Sequence, residues 1–170
     1  VATHKPKILA LAEPKVNFSM SFLHHFYVGY NFHGSCTNDS NVESLWISYH
    51  NSLHDVNISI SSDKMFTCDI LYDSKHIFCS FVYAKNRYQD RMPLWSVLPS
   101  LDNSMHDPWL VMGDFNAILS PIEKLGPSHS PISSGEFRAS IEDCNLVEVN
   151  IIRAKFTWYH RHYNWVVTIE

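Results

Sequence analysis

Four consecutive apolar residues, Trp109-Leu110-Val111-Met112, run straight into Gly113-Asp114-Phe115-Asn116. So short and continuous an apolar run predicts a strand buried on both faces, which requires layers of structure above and below it. Its abrupt polar end is equally constraining. Ligands in α/β folds collect at the C-terminal ends of such strands. In an extended backbone Asp114 and Asn116, two apart, share one face. Gly113 lets a neighbouring backbone or ligand come close. The same residues also suit a plain strand-to-turn transition in which Asp114 and Asn116 make Asx turns, so the local pattern leaves both readings open.

Upstream the pattern is strand after strand. Ile8 to Glu13 reads as a buried strand stopped by Pro14, and Leu45 to Tyr49 as another. Val56, Ile58 and Ile60 alternate with polar residues, the period of a half-buried strand. Phe66–Leu71 and Ile77–Tyr83 follow, joined near Asp73-Ser74. Short polar turns between them predict antiparallel pairing. Three segments have helical spacing: Asn17 to Phe26, Arg87 to Leu101, and Ser134 to Cys144 with Ser134 as N-cap. Pro93 falls inside the second, and a helix starting at that proline is the expectation. Phe156 to Tyr159 is a further strand. The chain reads as one α/β domain spanning 1–170, with mixed, mainly antiparallel sheets packed with covering helices.

Composition narrows the function. Hydrophobic residues make up 45% of 170, a globular balance, and no apolar run reaches the ~20 residues of a membrane span. A net charge of -4 argues against a dedicated nucleic-acid binder but not against an enzyme that meets DNA through a cation. The four cysteines are too widely spaced for a disulfide or zinc framework and read as the reduced thiols of an intracellular protein. Glycine is scarce, five in the whole chain. Turns needing positive φ must therefore use Asn, Asp and Ser.

Three strand ends carry chemistry: Glu13 in "LAEPK", Tyr83 and Asn86 in "FVYAKN", and Asp114 and Asn116 in "GDFN". Together they suit metal-assisted phosphodiester hydrolysis. A carboxylate holds Mg²⁺, which keeps most of its waters. A second carboxylate orients or deprotonates the attacking water. Neutral phenol and amide donors grip phosphate oxygens without adding negative charge.

The stretches "KPKILALAEPKV", "VYAKNRYQDRMPLW", "PWLVMGDFNAIL" and "KFTWYH", in that order, resemble the endonuclease/exonuclease/phosphatase superfamily. More narrowly, they are similar to the apurinic-type endonuclease domain of plant LINE-type (non-LTR) retrotransposons. The resemblance implies a partial four-layer αββα sandwich and a Mg²⁺ or Mn²⁺ cofactor, with no obligate small-molecule cofactor. By position it makes Glu13 the metal-binding glutamate and Tyr83 the contact to the scissile phosphate. Asn86 becomes a substrate-positioning amide, Asp114 the residue aligning or activating the water, and Asn116 a support of the phosphate. Arg91, Leu94 and Trp95 become structural. The implied partners are the DNA backbone and, in an intact element, a linked reverse transcriptase, with the nucleus as its place and no membrane association.

The departures are also informative. The family has an asparagine strand before the glutamate and, near its end, an Asp strand and a Ser-Asp-His stretch; this sequence has neither. The expectation is a chain truncated at both ends and impaired or inactive, the alternatives being a non-catalytic retroelement remnant and a weak nucleic-acid- or protein-binding module. "VESLW" and "IRAKFTW" lack glycines the family tends to have, which fits drift. The basic and aromatic residues of "RAKFTWYHRHYNW" suit nucleic acid, but an edge strand with its aromatics on the core is the favoured reading.

Overall fold

Asp73 and Ser74 make a tight two-residue turn. Both adopt positive φ, +50° and +61°, as a two-residue hairpin demands. Hairpins usually use Asn-Gly here, and this glycine-poor chain uses Asp-Ser instead. The turn joins β5 (Met65–Tyr72) to β6 (Lys75–Tyr83) in unbroken antiparallel register from Tyr72↔Lys75 to Met65↔Val82. Among the described residues Asn116 and Asn145 also take positive φ, as the glycine shortage predicts, and so do Lys5 and Glu13.

The computed structural model describes residues 5–14, 16, 19, 29–37, 43–61, 64–125, 131–149, 158–162 and 165–169. These fall into two compact units, Val1–Lys85 with Met105–Phe115, and Asn86–Ser104 with Asn116–Glu170. The expected helix over Asn17 to Phe26 lies outside the described residues, Ser19 apart.

In the first unit, β1 (Ile8–Ala12), β2 (Tyr30–Thr37) and β3 (Glu43–His50) form an antiparallel sheet in the order β1-β3-β2. A second sheet has the order β4-β5-β6-β7, with β4 spanning Val56–Ser61 and β7 spanning Trp109–Asp114. The two sheets pack face to face. Leu45 and Ile47 of β3 meet Phe66, Cys68 and Ile70 of β5 and Cys79 and Phe81 of β6. Each such side chain contributes about 1.5–3 kcal/mol by leaving water. On the other face of the second sheet, Thr67 Oγ1 and Ser80 Oγ share a hydrogen bond of 2.7 Å, and Trp109 Nε1 donates to Ser80 Oγ at 2.9 Å. Both hydroxyls are fully buried, so the bonds offset their desolvation.

β7 pairs with β6 in parallel, from Phe78↔Trp109 to Tyr83↔Asp114. A parallel pair needs a long crossover, and α1 (Tyr88–Asp102) lies in it. Two strands expected to be buried are less so. β1 is half-buried along its length, and Met112 of β7 is 39% exposed. Each stands at the edge of its sheet among the described residues, where one flank has no neighbouring strand.

The second unit holds α1, α2 (Pro131–Asp143) and a three-stranded sheet in the order β8-β10-β9. These strands are β8 (Lys124–Leu125), β9 (Trp158–His162) and β10 (Trp165–Ile169). α1 starts at Tyr88, not at Pro93. The buried stripe Arg91, Leu94, Trp95, Leu98 and Leu101 needs the earlier turn, and the proline ring sits on the exposed side. α2 starts at Pro131, whose fixed φ suits a first helical position, so Ser134 lies inside the helix and does not cap it. Trp95 and Phe137 pack with ring centroids 4.7 Å apart, and Tyr88 Oη donates to Glu136 Oε2. The class is α/β with mixed, mainly antiparallel sheets, as the sequence pattern predicts. Among the described residues no helix is long and apolar enough to cross a membrane.

Gly113 sits at φ +142°, and a Cβ built there would lie 2.0 Å from the Val82 carbonyl oxygen. Gly113→Ala is therefore expected to cost about 3 kcal/mol in chemical denaturation. Gly135, in α2 with nothing within 4 Å of a built Cβ, is the contrasting position: Gly135→Ala should gain up to about 1 kcal/mol. Equal effects of the two changes would refute the close-approach argument.

Candidate active site

Three strand ends of the first unit meet around one phenol. β6 ends at Tyr83 and β7 at Asp114, held in register as neighbours of a parallel ladder. The Ala84 N–H donates to the Asp114 carbonyl at 2.8 Å, and the Tyr83 N–H donates to the Lys64 carbonyl at 2.8 Å. Tyr83 is thus tied on both flanks before its side chain makes any contact. β1 ends at Ala12, and the next residue, Glu13, donates its N–H to the Ser44 carbonyl at 2.9 Å. The Tyr83 hydroxyl donates to Glu13 Oε1. Residues 70 positions apart therefore share a hydrogen bond, with Asp114 beside them.

The electrostatics follow from this arrangement. Burial pushes the Tyr83 phenol well above its ordinary pKa, and the hydrogen bond to Glu13 and the charges of Glu13 and Asp114 push in the same direction. Tyr83 is a neutral hydrogen-bond donor at any physiological pH. Glu13 and Asp114 are exposed to solvent.

Glu13 also carries strain. Its φ is +48°, left-handed, and Pro14 follows it. A non-glycine residue there costs about 1 kcal/mol or more, and a following proline narrows the choice further. Strain of this kind collects at functional positions.

Carboxylate oxygens such as those of Glu13 and Asp114 suit a hard divalent cation. Among the described residues no group of three or more His, Cys, Asp or Glu gathers to cage an ion. The residues present fit Mg²⁺, which uses one or two carboxylates and keeps its waters; they do not fit a closed zinc site. Nor do Cys68, Cys79 and Cys144 offer a thiolate nucleophile. Cys68, Cys79 and Cys144 are free and buried, and burial pushes the Cys68 thiol up to about 12 and that of Cys144 up to about 11.

The two amides of the predicted site belong to the second unit. Asn86 is exposed, and its carbonyl accepts from Arg91 Nη1 at 2.7 Å. Arg91 is only 7% exposed, and Leu94 and Trp95 are buried beside it in sequence, the structural part expected of all three. Asn116 takes φ +48°, a conformation asparagine tolerates better than most residues. That angle corrects the expectation that Asp114 and Asn116 share one strand face. Alternation holds only in extended backbone, and β7 ends at Asp114.

Sequence reasoning missed the groups that hold the loop after Asn116. The Leu119 N–H donates to Glu123 Oε2 at 2.9 Å, and Arg138 Nη2 donates to the Leu119 carbonyl. The signal was present as Ser120-x-x-Glu123, a capping-box spacing at the start of the 3₁₀ turn Pro121–Glu123. In "FTW", Phe156 and Thr157 lie outside the described residues and Trp158 begins β9.

Solved structures share this fold. The endonuclease domain of TRAS1, a telomere-specific non-LTR retrotransposon, matches with a TM-score of 0.70 at 14% identity, over 99% of this chain and 72% of that one. TDP2 from D. rerio, complexed with a single-strand DNA product, matches with a TM-score of 0.59 at 14% identity, over 99% and 69%. A humanized D. rerio TDP2 matches with a TM-score of 0.51 at 17% identity, over 69% and 52%. No protein-family model and no curated protein matches the sequence.

Two stability predictions follow from the phenol. A group whose folded pKa is raised contributes stability that is complete below its unfolded value and lost as pH rises past it. Denaturant midpoints measured between about pH 9 and 11 should fall more steeply for the native chain than for Tyr83→Phe; parallel curves would show that Tyr83 is not shifted. In the Tyr83→Phe background, where the hydrogen bond is already gone, Glu13→Gly should raise stability by about 1 kcal/mol by relieving the left-handed strain. No gain in the thermal midpoint would count against that strain.

Proposed function

We propose that this chain, whose fold is of the endonuclease/exonuclease/phosphatase type, hydrolyses phosphodiester bonds of DNA with a divalent cation, as the endonuclease domain of a LINE-type retrotransposon. The observation that carries the reading is the meeting of Glu13, Tyr83 and Asp114 at three strand ends. Two neighbours of the same fold are named for action on nucleic acid, one a retrotransposon endonuclease and the other a protein solved with single-strand DNA product.

Each side chain has a role its chemistry suits. Glu13 is the carboxylate that would hold Mg²⁺ or Mn²⁺. When bound, the cation would neutralise charge developing on the phosphate. Tyr83, kept neutral, donates its hydroxyl proton to a non-bridging phosphate oxygen in place of Glu13. Asp114 aligns the attacking water and accepts its proton. A neutral donor such as Tyr83 suits an anionic substrate because two carboxylates already stand near it.

In an intact element the nick would supply a 3′ hydroxyl to a linked reverse transcriptase in the nucleus.

The test is a supercoiled-plasmid nicking assay. Nicking should require Mg²⁺ or Mn²⁺, stop on chelation, and fall by about 10²-fold or more in Asp114→Ala. Metal-dependent nicking that Asp114→Ala leaves unchanged would show the site to be misassigned. No nicking above a metal-free control would favour the alternative, a non-catalytic retroelement remnant.

A further inference from the structure

The site so far holds two carboxylates and a neutral phenol, yet the proposed substrate is an anion. A positive charge stands in the same row of the sheet. The Lys64 carbonyl accepts the Tyr83 N–H at 2.8 Å, which extends the β5–β6 register by one pair beyond Met65↔Val82. Residues directly opposed across an antiparallel pair project to the same face. On the other flank Tyr83 is in register with Asp114. Lys64, Tyr83 and Asp114 therefore make one row across three strands. The alternation of side chains puts this row on the face where Phe66 and Phe81 join the core, and the Tyr83 hydroxyl meets Glu13 there.

We propose that Lys64 binds a phosphate of the DNA substrate beside Tyr83. The proposal rests on the phosphodiesterase reading above and deepens it. Lys64 is half-buried, and a lysine in such a position can pack its aliphatic stem and still carry its charged head to solvent. An ammonium is a point charge that suits phosphate without demanding a fixed angle. Lys64 is also the last residue before β5, and its backbone is pinned by the bond to Tyr83, so the charge starts from a fixed base. A substrate phosphate accepting from the Tyr83 hydroxyl then finds its counter-charge on the adjacent strand.

The test measures binding of a short duplex by the full chain in Ca²⁺, by fluorescence anisotropy, across a salt series. One phosphate contact contributes about 0.9 to the slope of log affinity against log salt. Lys64→Met keeps the stem and removes the charge. It should lower that slope by about 0.9, so that the loss of affinity between about 50 and 200 mM salt shrinks about threefold. Lys64→Arg should keep the native slope. Lys75→Gln, about 26 Å away at the far end of β6, should keep it too. A merely structural lysine would lower affinity in Lys64→Met without changing the slope, and that result overturns the proposal. A slope change shared equally by Lys75→Gln also overturns it. If the native chain binds no duplex even at low salt, the phosphodiesterase reading falls and Lys64 falls with it. Binding with an unchanged slope removes Lys64 alone.

Discussion

The parallel pairing of β6 with β7 is the constraint on which the site depends. It places Tyr83 level with Asp114, and it closes only because residue 113 has no side chain. With the Val82 carbonyl oxygen 2.0 Å from the position of a Cβ, no other residue fits there without displacing one strand. In a chain with five glycines, one stands where two backbones must touch, immediately before the aspartate of the site. A shift along β7 by a single residue would also turn Asp114 to the opposite face. Register and close approach together decide which side chains meet.

Around that pairing the first unit separates stabilising parts from strained ones. The core between its sheets is apolar and closely buried, and the polar atoms on the other face of the second sheet are joined as Thr67, Ser80 and Trp109. Strain and unfavourable charge gather at the opposite kind of place, the strand ends. Glu13 is left-handed before a proline, and Tyr83 is a phenol held between carboxylates. The buried layers over-determine the backbone there, which is what lets such positions persist.

The second unit uses charged side chains for a different purpose. Arg91 donates to a backbone carbonyl at Asn86, Arg138 to one at Leu119, and Glu123 accepts from the Leu119 N–H. The Arg87 side chain makes no cap hydrogen bond at the N-terminus of α1. The turn leading into α1 is instead secured from inside the helix, by a guanidinium kept in a buried position at the cost of desolvation. Both loops that carry the predicted amides are therefore held through their main chain, and the Asn86 side chain stays exposed.

Much of the fold was legible because it follows from local patterns. Alternation and apolar runs marked β3 to β7, helical spacing marked α1 and α2, and the glycine shortage foretold that Asn, Asp and Ser would take positive φ, as Asp73, Ser74 and Asn116 do. The residue types at three strand ends marked Glu13, Tyr83 and Asp114 as candidates, and the structure brings the Tyr83 hydroxyl to Glu13. The errors were those of context. Edge positions left β1 and β7 partly open, α1 began ahead of Pro93 to bury its stripe, and Asn116 turned out of the strand. The amino-acid order by itself determined which elements form and which chemical groups they carry, because propensity and periodicity act over a few residues. Only the tertiary structure decided that Tyr83 bonds to Glu13, stands level with Asp114 and lies opposite Lys64. Those meetings depend on strand order and register, which are set by packing between segments far apart in the chain.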